Sequence, residues 1–254
     1  MSETLLLIER TRPGVAELVL NRPGRRNALT IALMDELAGA VWRLSHEADG
    51  RVLILRGAGP AFCAGLDLRE ASDPALAEEG AEAVRRVFNA LSRTPLVTIA
   101  AAHGVAAAGG AGLLAACDFA VASEDLRIVF PEVRRGLVPA LVATVLKRKL
   151  RDADLRELFL LAEPIDAARA RSMGLVHRVV PGTTAREEAD RLARQILRGG
   201  PQAIRSTKAL LAGLNPPGDE DVRIAMEHHI RARVGEESKE GLAAFLEKRE
   251  PNWA

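Results

Sequence analysis

Three short segments of this 254-residue chain carry residue types that can do chemistry. AFCAGLDLRE (61–70) follows an apolar run and a Gly-Ala-Gly-Pro turn, and its small residues Cys63, Ala64 and Gly65 let backbone come close to a ligand. HGVAAAGGAGLLAACD (103–118) again takes an apolar run into small residues. A helix that starts near Gly109-Gly110 would present unpaired N–H groups, which favour negative charge. VFPEVRRGLVP (129–139) holds a single carboxylate, Glu132, among Val129, Phe130, Leu137 and Val138. An apolar setting of that kind raises a carboxyl pKa toward neutrality, where a proton carrier works best. Each segment also has a plainer reading. Glycine clusters serve close helix packing, and a lone Glu after a strand is commonly a surface or paired residue. No Ser-His-Asp set, phosphate loop or dinucleotide glycine spacing accompanies them.

The elements that must position these residues can be read from periodicity. LLLIER (5–10) and AELVLN (16–21) read as strands split by the turn Arg12-Pro13-Gly14. Residues 30–48 have helical spacing with Thr30 as N-cap, and RVLILRG (51–57) reads as a strand buried on both faces. An amphipathic helix is expected over 77–92. Strands are expected at 96–102, 119–123 and 127–130, and a late one at GLVHRVV (174–180). Beyond about residue 140 the pattern is mostly helical. Strand–helix alternation followed by helices points to an α/β core, residues 1–195, and a C-terminal helical region, 196–254.

Composition narrows the function classes. A net charge of +1, only six Phe and two Trp, and no Tyr give little support to nucleic acid as a partner. The segment 95–117 lacks Asp, Glu, Lys and Arg, yet its glycines, alanines and His103 suit a buried strand, turn and helix better than a membrane span. No membrane partner is therefore expected. Cys63 and Cys117 read as buried free thiols in a reducing, cytoplasmic setting, and no metal-ligand set stands near them.

In order along the chain, these segments resemble the crotonase superfamily, the enoyl-CoA hydratase/isomerase family. NRPGRRNALT (21–30) is similar to its early signature, AFCAGLDL and PLVTIAAAHGVAAAGGAGLLAACDFAVAS to its two oxyanion segments, and FPEVRRGLVP to its glutamate segment. PIDAARARSMGLVHRVVP (164–181) and EGLAAFLEKREP (240–251) resemble its later stretches. The resemblance implies a ClpP-like ββα-superhelix core with a C-terminal helical trimerisation region, hence a homotrimer or homohexamer. It implies an acyl-CoA thioester substrate and no cofactor beyond that CoA. It gives the N–H groups of Leu66 and Gly109 the part of oxyanion donors and Glu132 that of acid/base. Ala64, Gly65, Leu66, Asp67, Leu68 and Gly109 would line the CoA channel, and Phe245 and Lys248 would reach the nucleotide end.

Two positions depart from the family pattern. Gly112 stands where two-glutamate hydratases carry their second glutamate. Ala140 stands where dienoyl-CoA isomerases carry an aspartate. With Glu132 alone, syn hydration of a 2-enoyl thioester and isomerisation of a 3-enoyl to a 2-enoyl thioester, which moves a proton from C2 to C4, both stay open, because one carboxylate can move the proton in each. The pattern around Glu132 resembles a single-glutamate, hydratase-like branch, so hydration is expected first and isomerisation second. A crotonase-fold acyl-CoA-binding protein without activity is the non-enzyme alternative. His103 reads as a turn residue, and Arg134 and Arg135 as ion-pairing residues, with a carboxylate-bearing substrate as the other use of one of them.

Overall fold

The turn at Pro13-Gly14 returns β1 (Leu6–Arg12) antiparallel onto β2 (Val15–Leu20), with Gly14 at φ +77°, a conformation that disfavours other residues. This is a computed structural model, and it describes residues 4–182, 184–214 and 219–249. Thr30 caps α1 (Ile31–Ser45) by accepting the Leu33 N–H at 3.2 Å. Then follow β3 (Val52–Gly57), a single-turn α2 (Leu68–Ala71), α3 (Ala77–Arg93), β4 (Val97–Ala102), β5 (Val105–Ala107) and α4 (Gly109–Ala116). The chain continues through β6 (Phe119–Ser123), β7 (Arg127–Val129), α5 (Ala140–Leu146), α6 (Asp152–Arg156), β8 (Ile165–Asp166), α7 (Ala167–Met173) and β9 (Arg178–Val180). Four helices close it: α8 (Ala185–Leu197), α9 (Pro201–Leu214), α10 (Asp219–Arg233) and α11 (Glu236–Glu247).

Six strands form one sheet in the order β1-β2-β3-β4-β6-β9, parallel beyond the first pair. Strands β2, β3 and β4 are buried on both faces and largely apolar, as strands covered by helices must be, and the buried Glu17 of β2 accepts from Arg56 of β3 at 2.8 Å. A second sheet, β5-β7-β8, stands at the point where the chain turns into α4. The uncharged stretch 95–117 is thus two strands and an eight-residue helix buried at every position. Burying Leu113 and Leu114 completely contributes about 1.5–3 kcal/mol each. Among the described residues no helix is long and apolar enough to cross a membrane.

The late strand is shorter than its sequence suggests. Gly174 at φ +93° ends α7, and only Arg178–Val180 pair with β6. The junction expected at 195/196 lies inside α8, which packs on β3, β4 and β6. Of the C-terminal region, α10 packs on α5 and α3, and α11 packs on the turn that carries Glu132. The last residues of the 240–251 match lie outside the described residues.

Candidate active site

Among the described residues, neither the backbone N–H of Leu66 nor that of Gly109 meets an acceptor. Residues 65–67 bridge to Leu29 in parallel fashion, with Leu29 N–H donating to Gly65 O (2.8 Å) and Asp67 N–H donating to Leu29 O (2.8 Å). In such a bridge the intervening residue turns its own N–H away, and that residue is Leu66. On the other loop, Ala108 donates to Val129 O at 2.9 Å and then takes φ +48°, ψ −121°. This backbone is strained for a residue with a Cβ. It delivers Gly109 as the first residue of α4, where an N–H has no helical acceptor.

The two loops are held together by glycines. A Cβ on Gly110 would lie 2.3 Å from Cys63 O, and one on Gly65, at φ +89°, would lie 2.8 Å from Ala107 O. Cys63 and Ala106 form the bridge between the loops, with Cys63 N–H donating to Val105 O and Ala107 N–H to Cys63 O. The small residues therefore let the loops approach each other, more than they open a path for ligand. Asn27, fully buried at φ +56°, fixes the first loop through carbonyls of Ala58, Ala61 and Phe62 at 2.8–3.2 Å.

Glu132 opens a single 3₁₀ turn, Glu132–Arg135, just after β7 and Phe130, whose ring meets Phe159 edge-on at 5.3 Å. Glu132 is 9% exposed, and its Oε2 is buried without a hydrogen-bond partner among the described residues. Burial pushes its pKa up to about 7, against a smaller lowering by its own backbone N–H and by the Arg135 charge. Helix α11 braces this turn closely. A Cβ on Gly241 would lie 2.5 Å from Arg135 C, and one on Gly136 2.2 Å from Glu237 C.

One cavity of about 500 Å³ brings these groups together. Ala64, Leu66, Asp67, Leu68, Gly109, Glu132 and Phe245 all line it. Gly65 and Lys248 do not: Gly65 packs between the loops, and Lys248 is an exposed αL cap of α11. Asp67 is already engaged, caps α2 and pairs with Arg22 at 3.0 Å, so it is no free second carboxylate. Arg134 donates to Leu161 O at 2.8 Å, whereas Arg135 stacks over Phe245 at 4.3 Å on the cavity wall. His103 bonds Gly59 O at 2.8 Å, in keeping with a turn role. Cys63 and Cys117 are buried and free, with burial pushing both thiols up to about 12.

Gly112 is not a vacant slot for a second glutamate. A Cβ there would lie 2.3 Å from the ring tip of Phe88, itself buried. Gly112→Glu is therefore expected to lose about 3 kcal/mol or more through overpacking and a buried carboxyl, without added activity. Urea unfolding checks this, and Phe88→Ala in the same chain should recover part of the loss. Ala140 begins α5 and puts a methyl group on the cavity wall.

The family model for enoyl-CoA hydratase/isomerase matches residues 10–254. The chain belongs to the enoyl-CoA hydratase/isomerase family. A Thermus thermophilus protein provisionally named an enoyl-CoA hydratase is 36% identical over 97% of this chain and 100% of its own length. A Mycosarcoma maydis protein named enoyl-CoA isomerase/hydratase is 33% identical over 94% of this chain and 92% of its own. The crystal structure of an enoyl-CoA hydratase from Mycobacterium avium superposes with a TM-score of 0.89 at 35% identity over the whole of both chains. The α/β core is accordingly the crotonase fold with a helical C-terminal region.

Sequence reading missed two members of the site. Asn27 lies within the early signature but shows its purpose only once its partners thirty-odd residues away are known. His229 lies on the cavity wall from a helix with no motif of its own.

Proposed function

We propose that the chain hydrates trans-2-enoyl-CoA thioesters. The observation that carries this is Glu132: a buried carboxylate whose Oε2 has no partner among the described residues, with a pKa near neutrality, on the wall of a cavity shared with the N–H groups of Leu66 and Gly109. In the proposed reaction the ionised Glu132 takes a proton from water as the oxygen bonds C3. The electron pair of the C2–C3 double bond moves to the thioester oxygen, forming the enolate that Leu66 and Gly109 stabilise. Protonated Glu132 then returns the proton to C2. The fixed N–H donors contribute a few kcal/mol to that step. No cofactor is needed beyond the CoA of the substrate. The exposed Arg25, Arg26 and Arg69 side chains at the cavity supply charge for CoA phosphates.

Isomerisation of 3-enoyl-CoA is the second reading. It is favoured by the closed position at Gly112, since proton transfer from C2 to C4 needs no second group to orient water. Crotonyl-CoA tests the choice: loss of conjugated absorbance above a Glu132→Gln control supports hydration. Appearance of that absorbance from a 3-enoyl substrate, without onward hydration, puts isomerisation first. A homotrimer or homohexamer is the proposed assembly, and a monomer by light scattering would overturn it.

A further inference from the structure

The Oε2 of Glu132 is not the only buried side-chain atom on the cavity wall that lacks a partner among the described residues. His229 of α10 lies there too, and its Nε2 is buried with no hydrogen-bond partner among the described residues. Burial and the nearby Arg233 charge push its pKa down to about 4, so the ring is neutral at physiological pH. Arg233, one turn further along α10, is 6% exposed and also lines the cavity. Its Nη2 donates to the carbonyls of Glu70 (3.1 Å) and Ala71 (2.6 Å), but among the described residues no carboxylate forms a salt bridge with it. The rest of this part of the wall is apolar: Val84 of α3 and Leu141 and Val142 of α5, the helices on which α10 packs.

A plain hydrocarbon chain against this wall would leave the imidazole Nε2 unbonded, a costly arrangement in a buried site, and the guanidinium with only the more distant charges of Asp73 and Glu70. A carboxylate accepts a hydrogen bond from the ring and balances the cation. Of the other guanidinium groups on the wall, those of Arg25, Arg26 and Arg69 are exposed to solvent, and that of Arg135 is tied to Phe245 and acts on Glu132, hence on the reacting carbons.

We infer that His229 and Arg233 recognise a carboxylate at the far end of the acyl chain, so that the substrate is the CoA monothioester of an unsaturated dicarboxylic acid. This rests on reading the cavity as an enoyl-CoA site, and it names the substrate class. Sites built to bond a polar group reject analogues that lack it far more strongly than apolar pockets discriminate by size.

The test is calorimetric binding of non-reacting saturated thioesters: glutaryl-CoA against valeryl-CoA, and adipyl-CoA against hexanoyl-CoA. Wild-type protein is expected to bind at least one dicarboxylyl thioester about tenfold or more tighter than its chain-matched partner. His229→Phe should abolish that difference while holding the affinity for the plain chain, and His229→Gln should keep part of it. Equal affinities in the wild type would overturn the inference. So would an equal loss for both series in His229→Phe, which would put the ring against the CoA moiety. If the hydratase reading alone fails, no Glu132-dependent turnover is seen but the binding difference remains.

Discussion

Glu132→Gln is expected to lower kcat by about 10²–10⁴-fold, the usual contribution of a positioned proton carrier. The amide keeps the shape and cannot accept the proton. In the wild type, kcat/KM should rise with pH and level off above about 7, because the free enzyme must carry Glu132 ionised. The same substitution should stabilise the fold, and the sign follows from the pKa. An ordinary glutamate titrates at 4.5 and Glu132 at about 7, so between these values the folded state holds the extra proton. Stability therefore falls as pH rises through that window, with the penalty absent below it and complete above it. A shift of this size corresponds to about 3 kcal/mol. Glu132→Gln should accordingly gain stability in urea at pH 8 and much less at pH 5. A glutamate that served only the fold would show the opposite at pH 8. Loss of activity together with gain of stability would mark a group held under strain for chemistry.

Much of this site was legible because its determinants are local. Thr30 before an amphipathic run, glycines at loop-to-helix junctions and one carboxylate in an apolar stretch are all properties of neighbours in sequence. The cavity itself is not local. That Asp67 is spent on Arg22, that Phe88 fills the space beside Gly112, and that His229 joins the wall are all facts about residues from different elements. Periodicity says nothing of such pairings. The overlong late strand has the same origin: GLVHRVV is apolar enough to be a strand throughout, but Gly174 is committed to ending α7. Leu66 is the sharpest case. Its side chain has no polar atom, and its N–H is free because residues 65 and 67 carry the bridge to Leu29. The resemblance could assign that role, but only the hydrogen-bond pattern explains it.

The two adjacent glycines at the start of α4 should behave oppositely when replaced by alanine. Gly109 supplies the candidate N–H donor, yet a Cβ there meets only Leu29 Cδ1, at 3.5 Å, an ordinary contact. Gly110 supplies neither candidate donor, but its Cβ would press on Cys63 at 2.3 Å from the carbonyl oxygen and 2.8 Å from the carbonyl carbon. Backbone cannot swing aside as a flexible side chain can, so the two loops must part. Parting them moves the Leu66 N–H away from the Gly109 N–H, and a misplaced donor costs about as much as a missing one. Gly110→Ala should thus lower kcat by about 10²–10³-fold, as loss of an oxyanion donor does. Gly109→Ala should stay within about tenfold of wild type, since its N–H is kept and alanine favours the helix. Steady-state kinetics, with a thermal melt to show that both variants fold, decides between them. Equal damage from the two substitutions would mean that the space at residue 109 matters to the substrate, and the claim that only its backbone is needed would fall.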